Sequence, residues 1–176
     1  ILGVSHLTVY AFSTENWRRP MAEVSFLMSL FDTVIGEEAD ELHQENVRLK
    51  FLGNLDKLPK KTVDKIRYLE NKTDQNSTIQ LNVMLNYGAR DEIVSAVQSL
   101  LASSPKKKIT EKMFEEHLYT RGIPDPELLI RTGGDYRVSN FLLWQIAYSE
   151  LFVIDPFWPE FNMDHLAEII YAFQHR

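Results

Sequence analysis

The sequence contains no cysteine. That excludes disulfides, thiolate nucleophiles and cysteine-based zinc sites, and it fits a reducing cytoplasm. No uninterrupted apolar run approaches the roughly 18 residues of a bilayer-crossing helix. Positive charge is also scarce: 19 Lys and Arg face 25 Asp and Glu, a formal net charge of −6. A nucleic-acid-binding protein usually shows a broad basic face, so nucleic acid is not an expected partner. Several chemical fingerprints are missing too. There is no G-x-x-x-x-G-K followed by Ser or Thr, and no G-x-G-x-x-G, which removes the P-loop and dinucleotide readings. There is no G-x-S-x-G elbow, no H-E-x-x-H spacing among the five histidines, and no D-D-x-x-D cluster to gather magnesium around a diphosphate.

What remains is a chain of 176 residues, 44% hydrophobic and 25% charged, long enough to bury a substantial core. His6 to Phe12 (HLTVYAF) is β-branched and aromatic and reads as a buried strand. A polar stretch, Ser13 to Arg19, follows, and Pro20 stands where a helix can begin. From Met21 to Asn46 apolar residues recur at helical spacing (Val24, Leu27, Met28, Phe31, Val34, Ile35) before Glu37, Glu38, Asp40 and Glu41 take over. Val47 to Leu52 alternates as a strand and stops at Gly53-Asn54. A polar helix over Pro59 to Asn71, a strand over Thr78 to Leu85 and an amphipathic helix over Arg90 to Ala102 follow. The last of these carries Ile93, Val94, Val97, Leu100 and Leu101 on one side. Arg90 is expected to pair with Asp91 or Glu92 at the helix start. Ser103 to Lys108 (SSPKKK) reads as a solvated turn. Thr110 is placed to cap a short helix through Tyr119, and Asp164 to Phe173 is the last helix.

Strands alternating with helices point to an α/β fold, a single domain with a mainly parallel central β-sheet flanked by helices. In such sheets ligands sit beyond the carboxyl ends of the strands. Polar segments at Ser13–Arg19, Asn86–Arg90 and Thr132–Asn140 fall at such ends, which makes the first and third candidates for one shared site.

The third segment belongs to the most informative stretch, Leu129 to Asp155 (LIRTGGDYRVSNFLLWQIAYSELFVID). Arg131, Arg137 and Ser139 surround the pair Gly133-Gly134. Arginine's planar fork matches phosphate oxygens, and glycine lets backbone N–H groups come close to an anion. Glu150 downstream is a carboxylate of the kind that holds Mg²⁺ beside a diphosphate. The competing reading is a polar loop whose arginines pair only with nearby acids.

Three motifs taken together carry a family resemblance. They are Phe12-Ser13-Thr14-Glu15-Asn16-Trp17-x-Arg19-Pro20, Asn86-Tyr87-Gly88-x-Arg90 and Ile130-Arg131-Thr132-Gly133-Gly134-x-x-Arg137-x-Ser139-Asn140-Phe141. In this order and spacing the chain resembles the cis-prenyltransferases, most of all the bacterial undecaprenyl diphosphate synthases. Leu142-Leu143-Trp144-Gln145, Ala147-Tyr148-Ser149-Glu150-Leu151 and Trp158-Pro159-Glu160-Phe161 extend the match over essentially the whole length.

The resemblance implies a chain-elongating transferase. An allylic diphosphate such as farnesyl diphosphate loses pyrophosphate, isopentenyl diphosphate adds through its double bond, and a proton leaves to give a new Z double bond. The cycle repeats to a long polyprenyl diphosphate, undecaprenyl in the bacterial case, that serves as cell-wall lipid carrier. By the same resemblance Arg131, Arg137 and Ser139, with Val138 beside them, hold isopentenyl diphosphate, and Glu150 coordinates Mg²⁺. Asn16 acts at the proton-removal step or orients the reacting group. Asparagine is a poor base, and released pyrophosphate is the chemically better acceptor. Ser13, Thr14, Glu15, Trp17 and Arg19 form a mobile loop over the substrates. A hydrophobic tunnel between sheet and helices, walled by one side of the Met21–Ile35 helix and by Leu81, Val83 and Leu85, takes the product. The family further implies a homodimer, with Phe141 to Phe152 at its interface, and a cytoplasmic enzyme in transient contact with the inner membrane surface.

The pattern has departures. The family's amino-terminal aspartate motif, with its glycine, asparagine, arginine and tryptophan, is expected to precede Ile1. A terminal Arg-x-x-Gly tail is expected beyond Arg176. Residues 1–176 thus read as one domain incomplete at both ends, inactive alone. Asp135 stands where glutamate is more usual. A rival of different class is a non-catalytic scaffold subunit of a heteromeric cis-prenyltransferase. An upstream aspartate motif discriminates between the two.

Overall fold

A computed structural model describes residues 3–103 and 108–176. Most of the expected turn at 103–108 lies outside the described residues, as do the side chains of Ile35 and Glu37. The chain divides into two compact units, Ile1–Ser95 and Ala96–Arg176.

The first unit is built on three parallel strands in the order β1-β3-β2. β1 (His6–Ser13) and β2 (Val47–Leu52) flank β3 (Ile79–Tyr87). The expected boundaries hold within two residues. Helix α1 (Met21–Gln44) starts at Pro20, whose fixed φ suits a helix entry and whose carbonyl accepts the N–H groups of Glu23 and Val24. It ends at Asn46, which turns back with φ +57°. Helix α2 (Lys60–Thr73) buries Thr62, Ile66, Leu69 and Thr73, a single stripe at helical spacing. Ile66 and Leu69 pack with Val24 and Met28 of α1 and with Val47, Leu49, Phe51, Val83 and Leu85 of the sheet. Each fully buried aliphatic side chain there contributes about 1.5–3 kcal/mol.

The outer edge of β2 is sealed by side chains rather than by another strand. Leu49 N–H donates to Thr73 Oγ1 at 3.0 Å and Phe51 N–H to Glu70 Oε1 at 2.9 Å. Asn76 Nδ2 donates to the Val47 carbonyl at 2.8 Å. Unsatisfied edge groups would otherwise template pairing with other chains.

α1 has two apolar faces. Val24 and Met28 enter the core, while Phe26, Leu30 and Val34 form a second stripe at four-residue spacing that is 63%, 45% and 44% exposed. Of the expected tunnel residues on β3, Val83 and Leu85 are core members and Leu81 packs against the core half-buried.

Helix α3 (Ala89–Ser103) departs from its expected face. Ala89, Glu92, Ala96 and Leu100 are buried, whereas Val94, Val97 and Leu101 are exposed. Glu92 is buried and accepts a 2.6 Å hydrogen bond from the Tyr87 hydroxyl.

In the second unit β4 (Leu128–Thr132) and β5 (Glu150–Ile154) pair in parallel, Leu128 opposite Glu150 and Thr132 opposite Ile154. Thr110 caps α4 (Glu111–Glu115) through Met113 N–H, as expected, but the helix closes after five residues and turns carry the chain onward. Phe114 meets Trp144 with ring centroids 4.6 Å apart. Asn162 caps α5 (Met163–Gln174), accepting from Asp164 and His165 N–H groups. A cavity of about 370 Å³ is lined by α4 and the turns after it, including Glu115, Arg121 and Asp125. Burial, aided by the Glu115 charge, raises the pKa of Asp125 above its ordinary 3.8. A raised carboxyl opposes folding once ionised, so its penalty is absent below the ordinary carboxylate range and grows as pH rises through the folded pKa. Asp125→Asn is therefore expected to raise the melting temperature modestly at pH 7 and not at pH 3; equal gains at both pH values would contradict the origin assigned to the shift.

Candidate functional site

Four side chains of the second unit meet at the carboxyl end of β4. Arg131 donates through Nη1 to Ser139 Oγ at 3.0 Å and through Nη2 to Asp135 Oδ2 at 3.3 Å. Arg137 reaches the same carboxylate oxygen at 2.6 Å. Two guanidinium groups thus share one carboxylate, and the Asp155 carboxylate lies beside Gly134. Arg131 Nε is buried and has no hydrogen-bond partner, a donor still lacking an acceptor. Such an arrangement suits a polyoxygen anion, which takes several donors at once.

Backbone geometry explains how a short loop gathers these groups. Gly133 and Gly134 have φ of +86° and +71°, and Ser139 and Asn140 have +49° and +60°. The left-handed turns fold Arg137 and Ser139 back over Arg131. The glycines do not act as expected from the sequence, however. Gly133 N–H donates to the Pro156 carbonyl and Gly134 N–H to the Ile154 carbonyl, both at 2.9 Å. They continue the β4–β5 pairing and offer no N–H to an anion; the clamp is made of side chains. Val138 is half-buried, and its carbonyl accepts from Phe141 N–H.

Glu150 is not gathered into this cluster within the chain. Strand register places it opposite Leu128, three residues before Arg131, or roughly 10 Å along the strands. Its carboxylate pairs with Arg176 Nε instead. Among the described residues no three metal-ligating side chains converge. Mg²⁺ needs no such cage, because one or two carboxylates with waters and phosphate oxygens suffice. Glu150 fits as a single protein ligand on those terms.

The polar segment after β1, in the first unit, is a tight 3₁₀ turn over Thr14–Arg18. Asn16 Oδ1 accepts from Ser13 N–H at 2.9 Å, so its carboxamide nitrogen is the group left to face outward chemistry. Thr14 Oγ1 donates to Glu15 at 3.2 Å, and exposed Arg19 pairs with Glu23 at 2.5 Å. Trp17 is 40% exposed. Its ring stands edge-on to Phe12, and its indole N–H donates to Asn86 Oδ1 at 2.6 Å. Beneath the turn the Tyr10 hydroxyl donates to the Tyr87 carbonyl at 3.0 Å. Burial, then the Glu15 charge, holds the Tyr10 phenol well above its usual pKa, so it stays a donor. Tyr10 carried no sequence signal beyond being a strand aromatic, and Asn86 was visible only as part of a motif.

A model of the family described as "Putative undecaprenyl diphosphate synthase" matches residues 1–176. This chain belongs to that family. The "Isoprenyl transferase" of Bacillus anthracis is 48% identical over 180 residues, which span 99% of this chain and 70% of the relative. The farnesyl-diphosphate-specific ditrans,polycis-undecaprenyl-diphosphate synthase of Micrococcus luteus is 47% identical over 99% of this chain and 72% of its own length. Among solved structures, a "probable undecaprenyl diphosphate synthase" from Campylobacter jejuni matches with TM-score 0.90 and 35% identity, covering 98% of this chain and 81% of that one. Lavandulyl diphosphate synthase from Lavandula x intermedia, in complex with dimethylallyl diphosphate, gives TM-score 0.94 and 31% identity over 99% of this chain and 78% of that one. The mixed α/β fold with parallel strands and flanking helices is the one these prenyltransferases share, and the chain is a prenyltransferase. No described helix is long and apolar enough to cross a membrane.

Proposed function

We propose that this prenyltransferase condenses isopentenyl diphosphate with an allylic diphosphate such as farnesyl diphosphate to build a long Z-polyprenyl diphosphate, undecaprenyl in length, for bacterial cell-wall lipid carrier synthesis. The observation that carries this reading is the Arg131–Arg137–Ser139 cluster around one carboxylate, with a buried guanidinium donor still unpartnered. A scaffold subunit would have no use for a formed anion clamp.

In the reaction the C–O bond of the allylic diphosphate breaks and pyrophosphate leaves with the electron pair. The double bond of isopentenyl diphosphate then forms the new C–C bond, and a proton is lost to restore a double bond in the Z configuration. Arg131, Arg137 and Ser139 bind and orient the isopentenyl diphosphate by charge-assisted hydrogen bonds. The Asn16 carboxamide, its oxygen held by Ser13 N–H, orients a reacting group through its nitrogen, and released pyrophosphate takes the proton. Trp17 covers the substrates with an apolar face, Arg19 adds charge, and Ser13, Thr14 and Glu15 complete the loop. Glu150 would hold Mg²⁺, which when bound neutralises diphosphate charge and eases departure of the leaving group.

The second apolar stripe of α1, Phe26, Leu30 and Val34, is the face this reading assigns to the product tunnel. A homodimer is part of the same proposal. It is supported by exposed apolar side chains at Leu143, Tyr148 and Leu151 within the Phe141–Phe152 segment. The proposed setting is the cytoplasm, with release of the lipid product at the inner membrane surface.

Full-length protein incubated with farnesyl diphosphate, isopentenyl diphosphate and Mg²⁺ should give Z-elongated products; no elongation refutes the function. Tryptophan at Phe26, Leu30 or Val34 should shorten those products by one or more five-carbon units. Unchanged lengths at all three positions would remove the tunnel assignment alone.

A further inference from the structure

The end of β3 holds a polar residue that the proposed reaction does not use. Asn86 is 1% exposed and sits at φ +49°, a conformation that asparagine tolerates better than most residues. Its carbonyl and both ends of its carboxamide are directed. Its backbone carbonyl accepts from Asn54 N–H at 3.2 Å. Its carboxamide nitrogen donates to the Asn54 carbonyl at 2.7 Å, which fixes the way the amide faces. Its carboxamide oxygen then points at the Trp17 indole N–H, 2.6 Å away. Asn54 is itself held in place, since Gly53 passes so close to the Leu85 carbonyl that a Cβ would lie 2.1 Å from it.

We propose that Asn86 is a positioning residue that ties the substrate-covering turn to the sheet through Trp17. Its other ties are the Phe12 ring against Trp17, the Tyr10–Ser13 side-chain hydrogen bond at its base, the Arg19–Glu23 pair to α1 just after it, and Asn16 bonded within the turn itself. The Asn86–Trp17 bond joins residues 69 positions apart, and it sets where the next side chain back, Asn16, stands. It is the hydrogen bond that joins the Trp17 indole to the end of β3. Losing it frees the turn without disturbing the core beneath. This rests on the proposed role of the Ser13–Arg19 turn.

The test is a double-mutant cycle in the full-length protein. Asn86→Gly keeps the backbone conformation unstrained while removing the carboxamide. Trp17→Phe keeps an aromatic ring against Phe12 and removes the indole N–H. Each is expected to lower kcat on the order of tenfold, less than the hundredfold that a 1 Å misplacement brings, with the KM for isopentenyl diphosphate changed less than about twofold. Both remove the Asn86–Trp17 bond, and Asn86→Gly also removes the bond to the Asn54 carbonyl. In the Trp17→Phe background Asn86→Gly should therefore lower kcat almost no further, while its cost in melting temperature persists. The Trp17 indole N–H resonance, identified by its loss in Trp17→Phe, should move upfield in Asn86→Gly. Undiminished loss in the double variant, or an unmoved resonance, would show Asn86 to be a turn residue of the sheet and nothing more. If Asn86→Gly does not fold, Trp17→Phe, altered only in the turn, must still show the kcat loss; full activity in that variant overturns the proposal. Should the unaltered protein elongate nothing, the function fails while the resonance still decides the tie.

Discussion

Arg131→Ala is expected to lower kcat/KM for isopentenyl diphosphate by roughly 100- to 1000-fold, with little change in the melting temperature. The guanidinium contacts both Ser139 and Asp135 and keeps its Nε buried without an acceptor. Removing it deletes a bidentate charge-assisted contact worth about 3–4 kcal/mol in a partly desolvated place. Arg131→Lys should recover only a small part, because an ammonium cannot span two partners as a planar fork does. Arg137 has a side chain 67% exposed, and Arg137→Ala should cost less, about tenfold, since solvent screens an exposed cation. Steady-state kinetics with isopentenyl diphosphate varied at saturating allylic substrate separate these outcomes. An Arg131→Ala enzyme with unchanged KM and rate would refute the clamp.

Gly53→Ala should destabilise the protein by about 3–5 kcal/mol, a large part of the total stability of an ordinary domain. The new Cβ would sit 2.1 Å from the Leu85 carbonyl oxygen and 3.1 Å from its carbon, both of them backbone atoms of the central strand. Nothing flexible is available to yield, and φ of +140° adds strain for any L side chain. The measurement is urea unfolding followed by far-UV circular dichroism. A midpoint within error of the unaltered protein would mean that the turn after β2 can open without disturbing β3.

Much of the architecture was legible because it rests on local periodicity. Alternation in VRLKFL and the stripe of α2 each follow from one element's own residues, and their ends carry Gly53 and Pro59. The side-chain cluster was legible for a different reason: Arg131, Arg137 and Ser139 lie within nine consecutive positions, and a short loop brings them together. What the sequence hid depends on partners far along the chain. Glu92 is buried where Tyr87 bonds it, and α3 buries Ala89, Ala96 and Leu100 while Val94, Val97 and Leu101 face outward. That the N–H groups of Gly133 and Gly134 are spent on β5 and the residues after it depends on strand pairing, which residue type does not announce. Trp17 and Asn86, 69 residues apart, are likewise beyond any local pattern.

Asp135 gives the clamp a resident competitor. Its carboxylate is tethered four residues from Arg131 and two from Arg137, and it bonds to both. At the high effective concentration that a short tether brings, it contests the arginines with every arriving anion. A small singly charged ion offers too little to displace it, whereas a diphosphate brings more charge and more oxygens than one carboxylate supplies. On the proposed reading, discrimination against the salts of the cell is in this way built into the loop itself. On that reading departure of a ligand is eased as well, because Asp135 stays at hand to bond both arginines again.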